Sequence, residues 1–301
     1  MPEYLRLRID GGEGLSLERI SPAALGRLWS ARPPVKEWNF VRHVESHGTW
    51  TYHLQAELGE GEQEYYLKIF EQSEIYRVAL RKLCSRKGLR KPWRYPKEML
   101  RHLFDVSPAK VGFETAQVLL AAGINTAEPV AFLSQGAPVF KRGMLLTRKI
   151  PDVVCANLAE YLLSQRDRLA LEQWTAEKLA ILKELAGIIY KLSQMNFFLP
   201  DLRLSNVLIQ KPLSGGFRLW VIDLVEAEPG KPDEDKMLWH LIANPVYAQL
   251  FTKDDRIDFL KWYLEPTGRE NQWPRFCSRI MPVLEKWWEK WYQKNRAAGN
   301  S

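Results

Sequence analysis

Met195-Asn196-Phe197-Phe198-Leu199-Pro200-Asp201-Leu202-Arg203-Leu204-Ser205-Asn206-Val207-Leu208-Ile209 is followed, past Gly215-Gly216, by Leu219-Trp220-Val221-Ile222-Asp223-Leu224-Val225-Glu226. Two short apolar runs, 207–209 and 219–222, flank a glycine-containing connection, which is the pattern of a β-hairpin. A carboxylate and a carboxamide, Asp201 and Asn206, stand just before the first strand, and Asp223 ends the second. A hairpin brings its two outer ends together, so the spacing predicts that Asp201, Asn206 and Asp223 converge.

Such a set of oxygens suits phosphoryl transfer. Mg²⁺ takes a few protein oxygens and completes its shell with phosphate and water. Asn206 and Asp223 can supply those metal ligands, which leaves Asp201 to orient an acceptor hydroxyl and take its proton. The order Asp-Leu-x-x-x-x-Asn, strand, turn, strand, Ile-Asp-Leu resembles the catalytic and metal-binding loops of the protein-kinase-like fold. By that resemblance Arg203 takes the place of a basic residue that touches the moving phosphate. One position departs: Leu199 stands where the pattern has a histidine, and it can replace the packing of that ring but not its polar bond. Two alternatives stay open on these residues, a surface hairpin with ordinary polar ends and a pseudokinase scaffold.

The 301 residues are enough for one two-lobed domain or two ordinary ones. A hydrophobic fraction of 46% and a charged fraction of 26% are those of a globular protein with a sizeable core. No apolar run approaches the ~20 residues of a membrane-spanning helix. Glu3, Arg6 and Arg8 interrupt the first residues, so no signal-peptide apolar region stands there. Cys84, Cys155 and Cys277 are odd in number and far apart, which fits neither a disulfide framework nor a zinc site and points to a reducing cytosol. A net charge of +7 and a pI near 9.2 favour a polyanionic partner: phosphorylated glycolipid, anionic membrane or nucleic acid.

In the first half, Ser21-Pro22 reads as a helix start, with the helix running to about Ala31; the remainder of residues 1–34 carries no assignment. Strands follow at 40–44, 50–56 and 64–70, joined by a turn holding Gly48 and another holding Gly59 and Gly61. Lys68 sits between Leu67 and Ile69 in the third strand, so it points to the face opposite these neighbours. Residues 76–103 hold ten basic residues, from Arg77 to Arg101, against one acid, Glu98. With Leu89, Trp93 and Tyr95 among them, these charges fit docking on an anionic lipid or saccharide better than a plain solvated face; the same charge would attract nucleic acid, which is the less expected partner. Residues 108–122 read as a helix with an apolar stripe of Val111, Thr115, Val118 and Leu119, Glu114 lying on it, and Gly123 ending it.

Phe113-Glu114, then Leu119-Leu120-Ala121-Ala122-Gly123-Ile124-x-Thr126-x-x-Pro129-Val130-Ala131, resembles the bacterial lipopolysaccharide kinase family, whose members phosphorylate Kdo or heptose sugars of the inner core. Leu145-Leu146-Thr147-Arg148, Tyr66-Leu67-Lys68 and the 201–223 hairpin extend the resemblance to about residues 40–225. It implies an α+β, two-lobed protein-kinase-like fold, with a small antiparallel sheet lobe and a mainly helical large lobe. The expected lobes are 1–149, with a basic insertion at about 76–105, and 150–301. By the family pattern Lys68 holds the ATP phosphates and pairs with Glu114. Gly48 belongs to the phosphate-covering loop, and Arg148 and Ile150 stand at the nucleotide-binding hinge 149–152. Asp201 and Arg203 are then catalytic, and Asn206 and Asp223 hold Mg²⁺.

The expected activity is ATP-dependent phosphorylation of a sugar hydroxyl on a glycolipid. It would take place in the cytoplasm, peripherally on the cytosolic face of the inner membrane. A kinase acting on a protein or another small molecule is the other enzyme class open. After Glu226 the chain reads as helical, at 236–242, 247–251, 255–264 and 274–296. The last of these carries Trp287, Trp288, Trp291 and Tyr292 among lysines, which fits packing on the large lobe or an interfacial helix.

Overall fold

A computed structural model describes residues 3–17, 19–30, 39–46, 49–59, 62–71, 107–136, 142–154, 157–213, 215–230, 237–238, 250–279 and 282, of which 39–46 are described as backbone alone. Gly48, the basic residues from Arg77 to Arg101 and the tryptophans from Trp287 onward lie outside these residues, as do most of 236–242 and 247–251. The chain divides into two compact units, one of Met1–Ala121 with Ala127–Ile150, the other of Ala122–Thr126 with Pro151–Ser301.

The first unit is built on a seven-stranded antiparallel sheet. Its strands are β1 (Tyr4–Ile9), β2 (Gly12–Leu17), β3 (Asn39–Ser46), β4 (Thr49–Glu57), β5 (Glu62–Glu71), β6 (Pro129–Gln135) and β7 (Arg142–Arg148), in the order β1-β2-β6-β7-β5-β4-β3. The sequence reading left β1 and β2 unassigned. Their turn is Asp10-Gly11, both residues at positive φ, and Asp-Gly is a strong short-range hairpin signal. The helix α1 (Pro22–Ser30) buries Leu25, Leu28 and Trp29 against one sheet face, where Leu54, Tyr65, Leu67, Ile69 and Leu146 join it in one core. Burying each such side chain stabilises the fold by about 1.5–3 kcal/mol.

A second helix, α2 (Pro108–Ala121), packs through Phe113, whose ring lies edge-on to Tyr4 at 5.1 Å and tilted to Phe132 at 5.0 Å. Phe113 sets the rotation of this helix. Ala109, Gly112, Phe113, Ala116 and Leu119 face inward, while Val118 is 43% exposed. Of the stripe expected at Val111, Thr115, Val118 and Leu119, Thr115 and Leu119 are buried, Val111 is half-buried and Val118 faces out. Gly123 ends the helix at φ +69°, as its place after Ala122 predicted.

In the second unit, α3 (Leu158–Arg166) and α4 (Leu171–Gln194) each bury one face in the core. The inner face of α4 is Ile181, Leu182, Leu185, Ile189 and Leu192. Its N-cap, Ala170, makes no side-chain bond that a sequence could advertise. Lys178 on α4 is buried and donates to Asp255 Oδ2 at 2.6 Å. Asp255 also closes a capping box with Thr252 at the start of α5 (Lys253–Leu264). Among the described residues no helix is long and apolar enough to cross a membrane.

Candidate active site

The helix α4 ends at Met195, Asn196 takes a left-handed turn at φ 52°, and the chain enters β8 (Phe197–Phe198). This short strand pairs antiparallel with β11 (Glu228–Pro229), joining the start of the 201 loop to the chain beyond Asp223. Between them lie β9 (Val207–Gln210) and β10 (Arg218–Val221), antiparallel, with Val207 opposite Val221. The hairpin is therefore present where the apolar runs put it. Val207, Ile209, Leu219 and Val221 turn inward and fix its register.

Both edges of the hairpin are covered within the same unit. Thr126 forms a parallel bridge to Val221, its hydroxyl donating to Val221 O at 2.6 Å, and Asn125 Nδ2 donates to Leu219 O at 3.2 Å. On the other edge Val153 bridges to Gln210, and Val154 N–H donates to Ile209 O at 3.1 Å. Gln210, buried, donates through Nε2 to Pro151 O at 3.2 Å and accepts from Trp220 Nε1 at 3.1 Å.

Three of the expected residues come together here. Asn206 Nδ2 donates to Asp201 Oδ2 at 3.0 Å and to the Asp201 backbone oxygen at 2.8 Å. The backbone oxygen of Asn206 accepts from Ile222 N–H at 2.9 Å, which seats Asp223 beside it. Asp201 and Asp223 line one pocket with Leu199, Pro200, Leu202, Ile222, Leu224 and Glu226. Asp223 holds a left-handed backbone, φ 62° and ψ 58°, a conformation costly for a residue with a Cβ and concentrated at functional positions. Arg203 pairs with Asp201 Oδ1 and is half exposed. Leu199 is buried, so it fills space at the position where the kinase pattern has a histidine.

Glu226 was not among the expected site residues. The short helical turn Leu224–Glu226 carries it back to the pocket three residues after Asp223. The i, i+3 spacing in Asp-Leu-Val-Glu was its only signal in the sequence.

In the first unit the outcome is mixed. Lys68 lies on β5 opposite Thr51 and Leu145, half-buried, on the sheet face away from the α1 core. Glu114 does not pair with it. Glu114 is exposed on the outer face of α2 and forms an i,i+4 pair with Lys110 at 3.6 Å, because the rotation set by Phe113 turns residues 110, 114 and 118 outward. Arg148 is engaged by Glu128, Nε to Oε2 at 2.7 Å, and Ile150 is buried. Lys149 donates to both oxygens of Glu64 at 2.9 and 2.7 Å, and that ammonium holds the Glu64 carboxyl below the usual range. Gly48 lies outside the described residues.

A search of curated proteins found no match. A solved structure described as "WaaP in complex with acyl carrier protein" aligns with a TM-score of 0.59 at 21% identity, over 89% of this chain and 96% of that one. At that identity the likeness speaks for the fold, which is the protein-kinase-like one, α+β with a small antiparallel sheet and helices. A family model for the lipopolysaccharide kinase (Kdo/WaaP) family matches residues 50–263, which continues past the motifs read from the sequence into α5. The chain therefore belongs to the lipopolysaccharide kinase (Kdo/WaaP) family and is a phosphotransferase with an alcohol group as acceptor.

Proposed function

We propose that the protein is an ATP- and Mg²⁺-dependent kinase that phosphorylates a sugar hydroxyl, on Kdo or heptose, of a lipopolysaccharide inner core. The observation that carries this reading is the Asp201–Asn206 bond together with the Ile222 N–H to Asn206 O bond next to Asp223, with Asp201 and Asp223 lining one pocket.

The donor set fits Mg²⁺. Asn206 uses its amide nitrogen on Asp201, which leaves its Oδ1 to meet a cation. Among the described residues no three His, Cys, Asp or Glu side chains form a ready-made metal cage. Mg²⁺ takes few protein oxygens and completes its shell with phosphate and water. Asn206 and Asp223 would hold it, and the ion would neutralise charge building on the bridge between the β and γ phosphates.

The remaining work falls to this chain's own side chains. Asp201, its Oδ2 fixed by Asn206, orients the acceptor hydroxyl and takes its proton as the acceptor oxygen bonds to the γ-phosphorus and the bond from that phosphorus to the bridging oxygen breaks, releasing ADP. Arg203 places a permanent positive charge beside the transferring group. Lys68 holds the donor's phosphates, and residues near Arg148 and Ile150 meet the base. The 77–101 basic segment brings the enzyme to an anionic membrane surface, where each basic residue contributes about 1 kcal/mol. Residues 1–149 and 150–301 serve as nucleotide-covering and catalytic lobes, working in the cytoplasm at the inner membrane's cytosolic face.

The test is mass spectrometry of lipopolysaccharide from cells with and without the protein, together with purified enzyme, ATP and the unphosphorylated core. One missing phosphate in the deletion strain, restored by the native chain and not by Asp201→Ala, is expected. Identical lipopolysaccharide from both strains and no transfer in vitro would overturn the reading.

A further inference from the structure

Thr126 belongs to the run Gly123-Ile124-x-Thr126, and the proposed mechanism gives it no role. In the chain it stands between α2 and β6, yet it belongs to the second unit, as the last residue of the strap Ala122–Thr126. Its side chain is buried, and its hydroxyl donates to Val221 O at 2.6 Å.

The strap grips the end of β10 at three points. Asn125 Nδ2 donates to Leu219 O at 3.2 Å, Asn125 O accepts from Val221 N–H at 2.9 Å, and the Thr126 hydroxyl takes Val221 O. Val221 is therefore fixed on both of its backbone groups. Ile222 is held from the opposite side, where its N–H donates to Asn206 O at 2.9 Å. The residue after it is Asp223, whose backbone is left-handed at φ 62°. A residue with a Cβ keeps that conformation only where its surroundings over-determine it. Of the three bonds on Val221 and Ile222 that lead into Asp223, two join backbone to backbone and ask nothing of the side chains. The third needs a hydroxyl at position 126.

We propose that Thr126 is a positioning residue for the metal ligand Asp223, a reading that rests on the Mg²⁺ use proposed above. It acts through the backbone: the hydroxyl fixes the Val221 carbonyl, and Ile222 passes that constraint on to Asp223. Groups that bind an ion must be held to within about 0.5 Å of the productive geometry. Removing a partner that orients a metal ligand costs roughly 10–100-fold in metal affinity or activity. Valine has the shape of threonine without the hydroxyl, so Thr126→Val takes this donor from Val221 O and loosens the approach to Asp223. The fault then shows in the part of nucleotide binding that depends on Mg²⁺, and not in the part that does not.

Direct binding of the non-hydrolysable ATP analogue AMP-PNP to the full chain tests this, with and without Mg²⁺. The native chain is compared with Thr126→Val, Thr126→Ser and Asn125→Ala, each well below its own melting temperature. Thr126→Val should bind the Mg²⁺ complex about tenfold more weakly and the metal-free analogue as the native chain does. Thr126→Ser keeps the hydroxyl and should stay close to native. Asn125→Ala frees only Leu219 O, four residues before Asp223, and should lose less than Thr126→Val; a larger loss there would overturn the role of Thr126. Equal loss with and without Mg²⁺ in Thr126→Val would make its bond merely structural and overturn the proposal. Native-like Mg²⁺ dependence in Thr126→Val, or a loss in Thr126→Ser as large as in Thr126→Val, would overturn it too, while leaving the Mg²⁺ reading in place. A native chain that binds AMP-PNP equally well with and without Mg²⁺ would overturn both.

Discussion

The hairpin of the second unit and the helix α2 of the first were read from the same kind of information, and they came out differently. In the hairpin, Asn206 is bonded to Asp201 at 2.8 and 3.0 Å, and its backbone oxygen accepts from Ile222 N–H, the residue before Asp223, at 2.9 Å. On α2, Glu114 belongs to a motif at least as specific, yet it faces outward to Lys110. A strand pair has two faces, and the apolar residues choose between them. A helix turns about 100° per residue, so one large side chain elsewhere decides where a given residue points. Here that side chain is Phe113, fully buried between Tyr4 and Phe132.

Four variants probe this contrast. Asp201→Ala should give the largest effect, a loss of roughly 10²–10⁴ in turnover with the fold intact. A rate within threefold of native would remove the hairpin from catalysis. Lys178→Ala leaves Asp255 buried without its cation partner and should cost about 3–5 kcal/mol in chemical denaturation. Loss of under 1 kcal/mol would show that α4 and α5 do not depend on that pair. Thr126→Val removes the hydroxyl that donates to Val221 O and should cost about 1–3 kcal/mol, with turnover falling if the hairpin's edge shifts Asp223. An unchanged denaturation midpoint would mean the bridge is idle. Glu114→Gln should change stability by less than about 0.5 kcal/mol and leave turnover alone, as for an exposed i,i+4 pair. Loss of turnover approaching that of Lys68→Ala would restore Glu114 to the lysine and break the contrast.

The parts legible in the sequence are those fixed by near neighbours. Pro22 starting α1, Gly123 ending α2, and the two apolar runs of the hairpin all act within a few residues. Asp10-Gly11 was equally local, and Leu5-Arg6-Leu7-Arg8-Ile9 before it alternates apolar and polar residues, so this hairpin was legible although it went unassigned. The bonds that hold the site's scaffold were not legible. Thr126 meets Val221 across 95 residues and Asn125 meets Leu219 across 94, and no pattern in either stretch names its partner. Glu226 lay hidden in a helical turn too short to show a period.

The bridges on either side of the β9–β10 hairpin carry a practical consequence for cutting the chain. An unpaired strand edge is a template for joining another molecule. A fragment beginning at Asn157 would lose Thr126 on one flank and Val153 and Val154 on the other, baring β10 and β9 at once. The half that bears the acids therefore cannot be expressed alone as a well-behaved piece; it needs five residues, Ala122–Thr126, that the chain delivers before finishing its other half.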